Sequence, residues 1–272
     1  MKIEKIVDKN DERLSLFYIN KESTLKNSPD YENGLFIGES SLVINRALDK
    51  GYEPICFLVV ENDIDTYSDI FNRCNKDILV YEASEEIFKS LKGFILIKGI
   101  LCLFKRKVNL RFEEVVDKAK RIVVLEEVVN PTNVGAIFRN AAALFADGVL
   151  LTNDSCDPLY RRSIRVSMGN VFNIKYSIID RNSYIGMLKD KGFKIVSFAL
   201  RDNSVEIDDE NLRNEDKLAI VLGSEGYGLS KDTIDNSDYV VKISMNESVD
   251  SLNVASCSGI ALYELCKGNK GK

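Results

Sequence analysis

The stretch Ala219–Ser230, AIVLGSEGYGLS, decides how the rest of the chain is read. An apolar run ends at Gly223, and Gly228 follows with four residues between. That spacing belongs to a phosphate-cradling loop, G-x-x-x-x-G-K-[ST], except that Leu229 stands where the lysine should be. Three readings are open here: a nucleotide loop that has lost its lysine, an ordinary strand-to-helix turn, or a site for another ligand. Without the lysine a triphosphate lacks its main countercharge, and Glu225 would repel it. A ligand with an adenosine part and a positive centre suits the loop better, and an S-adenosylmethionine methyl donor fits that description.

Outward from this stretch, short β-branched runs alternate with amphipathic ones, which predicts α/β architecture. RIVVLEEV (121–128), GVLLT (148–152), KIVSFAL (194–200), LAIVLG (218–223) and YVVKIS (239–244) read as strands. GAIFRNAAALFA (135–146) and NVASCSGIALYELCK (253–267) read as helices. Continuous apolar strands between helices predict a mostly parallel sheet covered on both faces. Ligands on such sheets lie beyond the carboxyl ends of the strands, so chemistry is expected in the loops after Val129, Gly223 and Ser244. The earlier part of the chain has its own strands, at 54–60, 77–81 and 99–105. Its helices are placed at 40–51 and at 83–93, the latter capped by Ser84 and ended by Gly93. Two domains are therefore predicted, 1–107 and 108–272, with 108–120 as a helical connector.

Composition narrows the chemistry. The chain of 272 residues contains no histidine, which removes Ser-His and Cys-His hydrolases and the usual zinc sites. Its six cysteines (56, 74, 102, 156, 257, 266) form no C-x-x-C pair and are read as reduced, mostly buried thiols; no metal is expected. No apolar run approaches membrane-spanning length and the N-terminus has no signal-like core, so no membrane association and a cytoplasmic location are expected. A net charge of −5 argues against a non-specific nucleic-acid coat. Basic clusters nevertheless occur at 104–107, 118–121 and 161–165, and each could be a solvated face.

The other two strand-end loops hold polar candidates with plainer alternatives beside them. In NPTNVGAIFRN (130–140), Thr132 or Asn133 can cap the helix, and Arg139 either serves a site or pairs with Glu126 or Glu127. In the third loop, Ser251 and Asn253 are good helix caps.

Together, NPTNVGAIFR, VLGSEGYGLS and SLNVASCSGIALYE, in that order, resemble the three signature motifs of the SpoU/TrmH family of RNA ribose 2′-O-methyltransferases, part of the SPOUT class. RRSIRVSMGNVFNIKY (161–176) looks like the segment that lies between the first two motifs. The resemblance spans about 108–270; the first domain is similar to the small ribosomal-protein-like RNA-binding domain of many members. It implies a trefoil-knotted catalytic domain, a homodimer, S-adenosyl-L-methionine as cofactor and a structured RNA substrate. By position, Leu222, Gly223, Ile243, Met245 and Leu252 would hold the cofactor, and Asn133, Arg139, Glu225, Ser251 and Asn253 match the polar active-site residues. RNA would approach across Arg161, Arg162 and Arg165.

Departures from the family pattern are local. The third motif reads Ile243-Ser244-Met245-Asn246-Glu247 where Ile-Pro-Met-x-Gly is common, and Ser40 follows Glu39 where glycine is usual. An arginine ordinarily titrates near pH 12 or above, so Arg139 is expected to stabilise the developing ribose oxyanion rather than act as base. The resemblance implies ribosomal RNA, in the large subunit, as the substrate, because an added N-terminal domain is typical of the rRNA-modifying members. A tRNA methyltransferase, a non-catalytic RNA-binding paralogue and an ATP-binding regulator are the competing readings. Retention of the polar motif residues argues against the paralogue, and the missing lysine against the regulator.

Overall fold

The computed structural model describes every residue except 19–21, 28–31, 92–98, 202–203, 225, 247, 249–250 and 268–272. Glu225, Glu247 and the helix-ending Gly93 therefore lie outside the described residues. The chain divides into two units: Met1–Val108 with Leu159–Phe172, and Asn109–Pro158 with Asn173–Lys272.

The first unit is built on β1 (Lys2–Ile6), β2 (Leu35–Glu39), β3 (Pro54–Val60), β4 (Leu79–Ala83) and β5 (Ile100–Lys105), in the order β1-β4-β3-β5-β2. β1, β4 and β3 run parallel, whereas β5 is antiparallel to both β3 and β2. Helices α1 (Glu22–Lys26), α2 (Ser41–Asp49), α3 (Ser68–Phe71) and α4 (Glu85–Ser90) complete it. α4 begins where its sequence predicts, with Ser84 Oγ accepting from Ile87 N at 3.4 Å. Leu14, Phe17, Ile37, Leu58, Leu101 and Leu103 form one core. Ser40, before α2, has φ +79° and ψ 151°, a region almost reserved for glycine, and its side chain makes no capping bond.

The second unit runs through α5 (Phe112–Val116), β6 (Arg121–Leu125), α6 (Pro131–Ala143) and β7 (Gly148–Thr152). The chain then contributes α7 (Arg161–Val166) to the first unit, where it packs on β2. It returns for β8 (Lys175–Ile179), α8 (Tyr184–Asp190), β9 (Lys194–Phe198), β10 (Val205–Glu206), α9 (Glu210–Asn214), β11 (Leu218–Leu222), α10 (Lys231–Asp235), β12 (Tyr239–Lys242) and α11 (Val254–Leu265). The sheet order is β10-β12-β9-β11-β6-β7-β8, and every pair is parallel. Every residue of β7 and β11 is buried, as expected for strands covered on both faces.

This order fixes where a ligand can sit. From β6 the chain builds outward through β7 and β8, then crosses to lay down β9 on the other side, and β11 later fills the place between. The carboxyl end of β11 thus opens at the point where strand order reverses, the usual binding crevice of such sheets. The stretch Gly223–Ser230 is the loop that leaves it.

Two sequence expectations change. The segment 159–172, assigned by its position to the catalytic domain, belongs to the first unit, because the buried Leu159, Ile164, Val171 and Phe172 pack there. The connector 108–120 is helical only over Phe112–Val116.

Candidate active site

The first motif starts α6 earlier than its sequence suggests. Asn130 is the N-cap, its Oδ1 accepting from Thr132 N at 2.8 Å, and Pro131 opens the helix. Asn133, expected as a cap, is instead buried within the first turn, and its side chain is turned to another use. Its Oδ1 accepts from Asn253 Nδ2 at 3.2 Å. Asn253 does cap α11, accepting from Ala255 N at 2.9 Å. One amide therefore both starts the last helix and ties the third motif to the first. Beside it, Asn140 Nδ2 donates to Ala255 O at 3.0 Å and to Ser258 Oγ at 2.9 Å. The polar side chains of α6 thus hold α11 in register.

The glycine-rich loop closes on itself. Gly228 N donates to Ser224 O at 3.0 Å, and a Cβ added at Gly223 would lie 2.5 Å from the carbonyl carbon of Gly228 and 2.6 Å from Leu229 N. Glycine is needed at 223 because the loop's own return passes there. Leu229, in the position of the P-loop lysine, is buried in the sheet's core with Val221 and Ile234. A lysine there would have to bury its ammonium. The loop was never a phosphate cradle.

A fully buried carboxylate anchors the loop's exit. Glu126, the first residue after β6, accepts from Ser230 N at 2.8 Å, Tyr184 Oη at 2.7 Å and Thr233 Oγ1 at 2.5 Å. Burial pushes the Tyr184 phenol well above its usual pKa, opposed by its bond with Thr233 and reinforced by Glu126, so it stays a donor. Arg181 approaches Glu126 at 3.7 Å and bonds Glu127 and Asp154 at 2.8 Å each. Burial works against the charge of Arg181, but its bonds to Asp154 and Glu127 prevail and raise its pKa. The carboxylates that were the plain alternative partners for Arg139 are thus committed elsewhere. Arg139 itself is exposed on α6 and makes no hydrogen bond or ion pair among the described residues.

Alongside the loop lies a cavity of about 360 Å³. Leu229, Ile243, Met245, Ser251 and Leu252 line it, so four residues predicted from the third motif share one wall. Leu222 is buried in β11 with its carbonyl accepting from Glu126 N at 2.9 Å, and it sits beneath the loop rather than on the cavity wall. Ser244, where proline is common, donates to Glu206 at 2.8 Å and thereby ties the end of β12 to β10. Cys257 also borders the cavity, and burial pushes its thiol up to about 12, so it is an inert wall.

The basic cluster on α7 is only partly a surface. Arg161 is 4% exposed, and its Nε donates to Glu39 at 3.0 Å, so it is a buried ion pair of the first unit and not an RNA contact. Arg165, one turn on, lies on the same side of the helix and is half buried. Burial lowers its pKa, with Glu39 opposing that shift. Arg162 alone of the three is exposed.

The sequence offered Glu126 only as a partner for Arg139, and did not point to Tyr184, Thr233 or Asn140. The available signal was a glutamate ending an otherwise apolar strand run, RIVVLE, since such a residue is seldom buried without partners. Among the described residues no cluster of three or more His, Cys, Asp or Glu side chains is arranged to hold a metal, and no helix is long and apolar enough to cross a membrane.

Strand-end loops converging on a partly apolar cavity, at the switch point of a parallel sheet, define an α/β domain that holds a small organic ligand. Residues 120–263 match the SpoU rRNA Methylase family. An uncharacterized tRNA/rRNA methyltransferase of Mycobacterium tuberculosis is 31% identical over 266 residues, covering 96% of this chain and 91% of that one. A 23S rRNA (adenosine(1067)-2′-O)-methyltransferase of Streptomyces azureus is 35% identical over 157 residues, 57% of each chain. The crystal structure of an AdoMet-bound rRNA methyltransferase from Sinorhizobium meliloti superposes with a TM-score of 0.83 at 20% identity, covering 97% of this chain and 98% of that one. The chain belongs to the SpoU rRNA Methylase family.

Proposed function

We propose that the protein transfers a methyl group from S-adenosylmethionine to a ribose 2′-hydroxyl of ribosomal RNA, in the large subunit. The observation that carries this reading is the meeting of Ile243, Met245, Ser251 and Leu252 on one cavity beside the self-closed glycine loop. The residues fit the cofactor. Apolar walls suit an adenine, and the loop offers backbone rather than lysine. When bound, S-adenosylmethionine supplies an electrophilic methyl on a sulfonium centre. Gly223, Ile243, Met245 and Leu252 would hold it, with Leu222 supporting from below.

The chain's own residues supply positioning and charge. Asn133 and Asn253, already bonded to each other, hold the first and third motifs together, and Ser251 lies on the cavity wall beside them. Arg139 has an exposed guanidinium with no described internal partner, which leaves it available to the RNA phosphate and to the oxyanion that forms as the 2′-hydroxyl loses its proton. The name of the Streptomyces azureus relative supports 23S rRNA as the substrate class.

The first unit serves as the RNA-binding domain, with Arg162 as the exposed cation of α7. Insertion of β11 between β6 and β9 supports a trefoil knot in the catalytic unit. Exposed Ile260 and Tyr263 on α11 support a homodimer. A ribosomal RNA substrate supports a cytoplasmic location. The test is Arg139→Ala: methyl incorporation into rRNA is lost while calorimetric cofactor affinity stays near wild type. Equal loss of both would make Arg139 structural.

A further inference from the structure

Tyr227 is 92% exposed, more than any other large apolar side chain among the described residues. It stands in the glycine loop, whose described backbone is tied close to it. Its own N–H donates to Ser224 Oγ at 3.3 Å, and the turn beneath it is closed by Gly228 N on Ser224 O. The loop's exit is fixed by Glu126 through Ser230 N. Gly226 and Gly228 flank the ring, and a Cβ at either would meet nothing within 4 Å. The 92% exposure of Tyr227 leaves its ring open to water, and the phenol has no hydrogen bond among the described residues. Tyr227 also borders the cavity mouth, together with Leu200, Leu252 and Arg201. Leu200 and Leu252 are themselves exposed, at 57% and 38%.

An aromatic ring held in water at the edge of a cavity is placed to meet a flat ligand. We infer that Tyr227 stacks on the base of the target nucleotide; this inference rests on the methyltransferase reading above. A nucleotide drawn out of its neighbours' stack to place its 2′-hydroxyl at a cavity loses base-stacking energy. A flat ring with free faces at the mouth restores that stacking without regard to base identity. Arg201 beside it supplies a cation for the adjoining phosphate. Tyr227 would thus position the substrate from the edge of the cavity that the cofactor would fill.

The experiment compares wild type with Tyr227→Ala, Tyr227→Phe and Tyr227→Trp. Tritiated methyl incorporation is measured into in-vitro transcribed large-subunit rRNA, with cofactor affinity by calorimetry and mass by sedimentation. In the alanine variant, kcat/KM for RNA is expected to fall about tenfold to a hundredfold. Phe and Trp restore it, while cofactor affinity, mass and unfolding midpoint stay unchanged. An alanine variant with wild-type kcat/KM overturns the inference. So does a parallel loss of cofactor affinity, which would make the ring a lid, or a change in mass, which would make it a contact between copies. No incorporation by the wild-type protein overturns the methyltransferase reading and this inference together.

Discussion

Replacing Glu126 by alanine removes the acceptor shared by Tyr184, Thr233 and the backbone of Ser230. Thr233 keeps a partner, because Ser230 Oγ lies 2.9 Å from its hydroxyl. Arg181 keeps Glu127 and Asp154. The Tyr184 phenol is left with Thr233 Oγ1 at 3.2 Å, and the Ser230 amide loses its acceptor, at about 1–3 kcal/mol. The vacated volume adds about 1 kcal/mol in a site that is fully buried. Against this stands relief from burying a carboxylate, which offsets part of that loss. The balance is a loss of about 2 kcal/mol, a sizeable share of the ~5–15 kcal/mol that holds a typical domain. Glu126→Gln keeps one acceptor oxygen and turns an amide toward groups that are themselves donors, so about half that loss is expected. Urea denaturation reads both as lower midpoints at unchanged slope. Calorimetry should show weaker cofactor binding, because Ser230 N is where the glycine loop is pinned. Midpoints within about 0.5 kcal/mol of wild type for both variants would refute the idea that this carboxylate anchors the loop.

Gly223→Ala places a methyl against the backbone of Gly228 and Leu229, and the loop must open to admit it. Relieving such an overlap costs about 1–3 kcal/mol, so the cofactor dissociation constant, by calorimetry, is expected to rise about tenfold or more. Ser40→Gly acts in the opposite direction. It relieves about 1–3 kcal/mol of backbone strain at φ +79° and forfeits no capping bond, while glycine's looser unfolded chain takes back roughly 0.5–1 kcal/mol. A net gain of about 1 kcal/mol should appear as a melting temperature a few degrees higher, measured by differential scanning calorimetry.

What could be read from the sequence follows the physics of each element. The interior strands β6, β7 and β11 carry unbroken apolar runs because both faces are covered, and they were legible. β1, KIEKI, and β8, KYSII, were not, since both end a sheet and expose part of their length. The motif loops were legible because glycine and amide spacing survives in one dimension. The same spacing could not tell Asn130 from Asn133 as the cap of α6, for both residues are chemically able. Nor could RRSIR show that Arg161 turns inward, because its partner Glu39 lies 122 positions away. Glu126 was hidden for the same reason: its donors come from α8 and the start of α10.

The loan of Leu159–Phe172 to the first unit means that the chain passes between units at 108/109, 158/159 and 172/173. The two units are stitched, not merely joined end to end. A fragment starting at 109 would keep Ile164, Val171 and Phe172 while discarding the sheet that shelters them, and would keep Arg161 while discarding Glu39. Replacement of this chain's N-terminal unit cannot be a single cut and splice: a donor unit must bring a β2 that fits α7. The architecture makes the two units inherit together.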